Sequence, residues 1–213
     1  MPEQPAGAVL ILHGGASRRT TMVSPAQLSV LRMIPIARRI ARLAKGRLAI
    51  FRLLNSRRGW DTSHTPVDDV RWALATVAAR LHPTRPTGLI GHSLGARAAI
   101  LAADQQEVRS VVALAPWVHP TDVPSRIPAA RFLFVHGSLD RVASPARSAM
   151  LARRLSRTAH VGYITVEGGR HAMLKRHALF DGLAAEFTAA TLLDTPLSGS
   201  LARVAGGERQ LRV

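Results

Sequence analysis

Residues 88–97 read Gly-Leu-Ile-Gly-His-Ser-Leu-Gly-Ala-Arg, an apolar run that passes through Gly91-His92-Ser93-Leu94-Gly95 straight into a small-residue helical stretch. A Ser on a sharp strand-to-helix turn exposes its hydroxyl at the carboxyl end of the strand, and Gly91 and Gly95 keep the flanking backbone free of Cβ clashes. The pentapeptide Gly-x-Ser-x-Gly alone is a weak signal. Its context makes it specific: an apolar strand before it, and after it a helix whose Ala96, Ala98 and Ala99 allow close packing.

Outward from this segment, short apolar runs alternate with amphipathic stretches, the pattern of parallel strands joined by crossover helices. Six strands are expected, at Ala8 to His13, Arg47 to Leu54, Thr87 to His92, Arg109 to Ala115, Arg131 to His136 and Val161 to Val166. Each is too apolar to have a solvent-facing side. Pro35 to Lys45 repeats Ile36, Ile40 and Leu43 on one face with Arg38, Arg39, Arg42 and Lys45 off it, and Gly46 supplies the stop. Thr65-Pro66 and Ser144-Pro145 are helix starts, the first followed by Asp68 and Asp69 where the helix dipole favours negative charge. The second of these helices runs to about Arg157, and a further helical pattern covers Met173 to Leu193. This predicts an α/β fold: a three-layer, doubly wound, mostly parallel six-stranded sheet with helices on both faces, one domain over residues 1–193. From Asp194 onward apolar periodicity fades, and residues 194–213 are expected to be a mobile tail.

Composition narrows the chemistry. The chain has 213 residues and no Cys, which excludes disulfides, Cys-ligated zinc and a thiol nucleophile. Its formal charge is +16, from 29 basic and 13 acidic residues. The bases are nearly all Arg, with Lys only at Lys45 and Lys175, scattered among Ala rather than gathered in one stripe, and the few aromatics are dispersed. That argues against a specific nucleic-acid partner. No run of eighteen uncharged apolar residues occurs, so no membrane span is expected. The opening residues lack the basic leader of a signal peptide, and a cytoplasmic location is expected. There is neither His-Glu-x-x-His nor a P-loop, and no metal or cofactor is implied.

A Ser hydroxyl is a weak nucleophile near neutrality and needs a His base whose tautomer a carboxylate fixes. Asp140 follows the fifth strand in Phe-Val-His-Gly-Ser-Leu-Asp-Arg-Val, and His171 follows the sixth in Glu-Gly-Gly-Arg-His-Ala-Met. Loops after successive parallel strands gather at one edge, so Ser93, Asp140 and His171 can converge. The backbone N–H of Leu94 and one from His13-Gly14-Gly15-Ala16, at Gly15, are candidate oxyanion donors. His13 and His92 are expected to hold loop backbone, and His136 to sit at a strand end. Trp60, Trp117, Val118 and Met173 are candidate substrate walls. Arg18, Arg19, Arg57 and Arg58 are expected near the same edge.

Taken together, Leu-His-Gly-Gly, Arg-Arg-Gly-Trp-Asp at 57–61, Gly-His-Ser-Leu-Gly-Ala, His-Gly-Ser-Leu-Asp and Gly-Gly-Arg-His resemble the motif set of the α/β-hydrolase superfamily, over about residues 8–190. The resemblance implies Ser93 as nucleophile, Asp140 as orienting acid, His171 as general base, and Gly15 and Leu94 as oxyanion donors. It also implies the spatial strand order second, first, third, fourth, fifth, sixth. The family's first two antiparallel strands have no room before Ala8, and the gap from Ala115 to Arg131 is too short for a helical cap. A minimal, capless form follows, acting on a small-molecule acyl substrate. It is expected to cleave a carboxylic ester or thioester through an acyl-enzyme; amide or lactone hydrolysis and perhydrolysis remain open on the same residues. The alternative is a non-catalytic ligand- or anion-binding protein on the same fold, whose mark would be loss of one of the three residues; none is lost.

Overall fold

The computed structural model describes residues 2–15, 21–60, 64–81, 83–208 and 210–213. The strands are β1 (Gly7–Leu12), β2 (Leu48–Leu53), β3 (Thr87–His92), β4 (Val108–Leu114), β5 (Arg131–Gly137), β6 (His160–Val166) and β7 (Leu211–Arg212). They form one sheet in the order β2-β1-β3-β4-β5-β6-β7, and every neighbouring pair is parallel. The helices are α1 (Leu28–Leu31), α2 (Ile34–Ala44), α3 (Thr65–Arg80), α4 (Leu94–Leu101), α5 (Pro145–Leu155), α6 (His177–Leu193) and α7 (Gly199–Ala205).

Strand alternation divides the core into two layers. Val9 and Ile11 of β1 join Ile36 and Ile40 of α2 and Phe180 and Ala184 of α6 on one face. Leu10 and Leu12, on the other, join Leu74 of α3, Ala99 and Ile100 of α4, and Leu151 of α5. All six residues of β1 and of β3 are buried, which accounts for their continuous apolarity. On α2 the buried repeat is Ile36, Ile40 and Ala44, while Leu43 is 48% exposed, one position off the expected face. Helix α5 starts as expected: Ser144 Oγ accepts the Arg147 N–H at 3.3 Å and Pro145 takes the first position.

Three expectations are corrected. The sheet has seven strands rather than six, and residues 194–213 are not a structureless tail. They form α7 and β7, which pairs with β6 through Ile164↔Leu211 and Thr165↔Arg212. Leu201 and Leu211 are buried in the core layer shared with α6. Two apolar anchors separated by a Gly-Gly turn suffice to cover a sheet edge, yet leave no periodicity to read. Helix α6 also begins at His177, not Met173, because Met173 adopts a left-handed conformation, φ 56°. Among the described residues no helix is long and apolar enough to cross a membrane.

Candidate active site

Parallel strands deliver the β1, β2, β3, β4, β5 and β6 loops to a single edge. Ser93 stands there between β3 and α4 at φ 55°, ψ −115°, a conformation costly for a residue with a Cβ. Four backbone hydrogen bonds hold it. The Ser93 N–H donates to Leu114 O at 3.0 Å, and Ser93 O accepts from the N–H groups of Ala96 (3.1 Å), Arg97 (3.3 Å) and Trp117 (3.2 Å). Both flanking glycines are explained by close approach. A Cβ on Gly91 would overlap Gly95 O and Ala96 N, and one on Gly95 would lie 2.5 Å from His13 O and 2.7 Å from Leu12 O. Gly95 thus lets α4 press against the end of β1.

Asp140 and His171 are brought to Ser93 by a second pair of glycines. A Cβ on Gly137, the last residue of β5, would overlap Gly169 O, so the two loops touch through backbone. The N–H of Leu139 donates to Gly169 O at 2.9 Å and that of Gly168 to Ser138 Oγ at 3.0 Å. In consequence His171 Nδ1 lies 2.8 Å from Asp140 Oδ2, and its Nε2 lies 3.0 Å from Ser93 Oγ. Ser93 is 6% exposed, the His171 side chain 18% and the Asp140 side chain fully buried.

Asp140 is held by more than His171. Its Oδ2 also accepts from His136 Nε2 at 3.1 Å, and its Oδ1 accepts the N–H groups of Val142 (2.8 Å) and Ala143 (2.9 Å). Burial by itself raises the carboxyl pKa. The hydrogen bonds from His136, His171, Ala143 and Val142 together outweigh it and hold the group well below the usual carboxylate range. His136 is fully buried, and its Nδ1 meets Ser148 Oγ at 2.7 Å, which in turn meets the Tyr163 hydroxyl at 2.9 Å. The sequence does carry a signal for this, a His four residues before the acid, but its strand-end position does not reveal which way the ring points.

The histidines expected to hold backbone do so. His13 Nδ1–H donates to Gly14 O at 2.7 Å and its Nε2 accepts the Asn55 N–H at 3.1 Å, tying the β1 and β2 loops. His92 Nε2–H donates to His171 O at 2.9 Å. Burial first, then the neighbouring His171, push His92 down to about 4, so it is neutral near pH 7.

A third support is absent from any local pattern. Arg32, between α1 and α2, donates to Ala172 O and Met173 O at 3.3 Å each and pairs with Asp181 at 2.7 Å, anchoring the loop that follows His171. Its partners lie 140 or more residues away in sequence, so only the fold reveals it.

The remaining candidates divide. Gly14 and Gly15 lie against the Ser93 turn: a Cβ on Gly14 would be 3.4 Å from Ser93 Cβ, and one on Gly15 would be 3.1 Å from Leu94 Cδ1. Leu94 is the first residue of α4, whose N–H the helix itself leaves unpaired. Trp60 and Trp117, both half-buried, gather around Arg97 one helical turn beyond Ser93, with its guanidinium 4.0 Å and 5.5 Å from the two ring centres. Arg97 also forms a two-pronged pair with Asp122, at 2.8 and 2.9 Å. Met173 does not line the cleft as expected. Its left-handed backbone turns the side chain into the core, where it is fully buried, and Val118 is buried in the opposite core layer. Arg58 is half-buried beside Gly15. Ala16, Arg18, Arg19 and Asp61 lie outside the described residues. The segment joining β4 to β5 carries no helix, so no helical cap stands there.

Comparison with known proteins agrees with this architecture. Three solved structures share the fold. A serine hydrolase homologue from Coxiella burnetii is 20% identical, with a TM-score of 0.66 over 86% of each chain. A lidless α/β serine hydrolase from Xanthomonas campestris is 18% identical, TM-score 0.65, over 93% of this chain and 86% of that one. The esterase domain of a Rhodothermus marinus protein is 16% identical, TM-score 0.64, over 90% and 91%. A search of functionally curated proteins finds no match. The family model described as alpha/beta hydrolase fold matches residues 53–164, more than half of the sequence, and the chain belongs to the α/β-hydrolase family.

Proposed function

We propose that the protein is a serine hydrolase that cleaves a carboxylic ester or thioester through an acyl-enzyme on Ser93. The observation that carries this reading is the unbroken hydrogen-bonded series Asp140–His171–Ser93, ending on a Ser held in a strained turn at the mouth of the sheet. Ser93 Oγ attacks the carbonyl carbon while its proton passes to His171 Nε2. The N–H groups of Leu94 and Gly15 receive the oxyanion. Collapse breaks the bond to the alcohol or thiol, which takes the proton back from His171. Water, deprotonated by the same nitrogen, then releases the acid and restores Ser93. Asp140 stays ionised throughout and stabilises the imidazolium. Trp60 and Trp117 wall an uncapped cleft, which suits accessible acyl groups over deeply enclosed ones.

Reaction with a fluorophosphonate probe tests the reading. A single adduct on Ser93, absent from Ser93→Ala, is expected. A folded native protein that takes no label overturns it.

A further inference from the structure

The distribution of exposed apolar side chains is lopsided. Eleven large ones are exposed among the described residues, and only Leu43, Trp72 and Met150 lie on the outer faces of α2, α3 and α5. The others stand at the carboxyl edge of the sheet, around Ser93. Leu28 (82% exposed) belongs to the β1 connection, Leu54 to that of β2, Val123 to that of β4, Leu139 and Val142 (66%) to that of β5, and Leu174 (65%) to that of β6. The loops at the opposite edge, residues 45–47, 81–86, 105–107, 156–159 and 194–198, contribute none among the described residues. A soluble surface tolerates single exposed Leu residues anywhere, but their concentration at one edge marks an interaction face.

Among the described residues, exposed charge at that edge is mostly positive. Arg126, Arg141, Arg170, Lys175 and Arg176 are exposed beside the apolar groups. The carboxylates of the same described loops are engaged: Asp122 with Arg97, Asp140 with His136 and His171, Glu167 with Arg212. Asp68, at the start of α3, is the exposed exception. Scattered through the sequence, these residues meet only because parallel strands bring their loops to one edge.

We propose that this carboxyl edge is a docking face for an anionic lipid surface, from which the open site takes its acyl substrates. Apolar tips that enter the lipid among cations that meet its headgroups are the chemistry of interfacial binding. The tips stand on five separate connections, a spacing that a fluid surface accepts one by one. A protein partner would have to bury them in a continuous packed core. The substrate half of the proposal rests on the serine-hydrolase reading; the docking half does not.

The test uses the full chain with vesicles of phosphatidylcholine alone and of phosphatidylcholine mixed with phosphatidylglycerol, at low and high salt. The comparison is with the triple variant Leu28→Ser, Leu54→Ser, Leu174→Ser, which keeps every charge. Native protein is expected to partition onto the mixed vesicles, and the variant about tenfold or more weakly at the same salt, with fluorophosphonate labelling in solution unchanged. Equal partitioning of the two would mean that charge alone attracts the protein, and would overturn the proposal. So would no partitioning of the native protein. A native dimer in solution that the triple variant dissociates would make a second copy the occupant, and would also overturn it. Partitioning without labelling of Ser93 would instead sink the hydrolase reading and leave the docking face standing.

Discussion

At the scale of single residues, Ser93 is held at a positive φ by four backbone partners, and Asp140 accepts four hydrogen bonds before any substrate arrives. His136 is the one of those four that a side-chain substitution can remove without touching the Asp140–His171–Ser93 series. His136→Leu leaves Asp140 Oδ2 short of a donor and is expected to lower kcat roughly ten- to a hundredfold with little change in KM. His136→Gln, whose amide can reach the same oxygen, should restore most of it; steady-state kinetics on a short ester compares them. His92 supplies a pH prediction. Its folded value of about 4 lies below the ordinary 6.5, so the folded state binds fewer protons than the unfolded one. The stability that follows is complete above about pH 6.5 and drains as pH falls, on the order of 1–2 kcal/mol by about pH 5. His92→Gln keeps an N–H for His171 O without titrating, and urea unfolding at the two pH values should show a smaller drop for it than for the native chain.

At the scale of elements, the Ser93 turn and its glycines are legible because the requirement is local: strand, turn and helix are contiguous, and the close approaches of Gly91 and Gly95 fall within or beside them. The acid and histidine loops are legible as residues but not as geometry, since contact of Gly137 with Gly169 joins strands that the sequence separates by a whole helix. Gly137→Ala forces that backbone contact apart. It is expected to slow labelling of Ser93 far more than it lowers Tm, read by a labelling time course beside thermal unfolding. The end of α2 makes the opposite prediction. Lys45 is left-handed there, φ 46°, and exposed, so Lys45→Gly relieves backbone strain and should stabilise the fold by about 0.5–1 kcal/mol in denaturant unfolding.

At the scale of the whole molecule, six strands and their order follow from alternation and from family resemblance, whereas the seventh strand does not. Residues 194–213 contribute Leu201 and Leu211 to a core made by α2, α6 and the sheet, and two residues cannot announce a period. Leu201→Ala is expected to cost about 2–4 kcal/mol, a core-sized loss that a structureless tail would not show in urea unfolding. Met173 shows the same blindness in reverse, because a residue two beyond His171 reads as a cleft wall until the backbone turns it inward. The Arg32 anchor and the apolar carboxyl edge also exist only in three dimensions. Met173, the Arg32 anchor and the apolar edge share one end of the sheet, where acyl transfer is proposed to occur. Its most direct test is to quench the full-length protein in acid during turnover of p-nitrophenyl acetate and map the peptides by mass spectrometry. One acetyl group, on Ser93, is predicted, and turnover should vanish in Ser93→Ala. Turnover that persists in that variant, or an acetyl group carried elsewhere, would contradict the account.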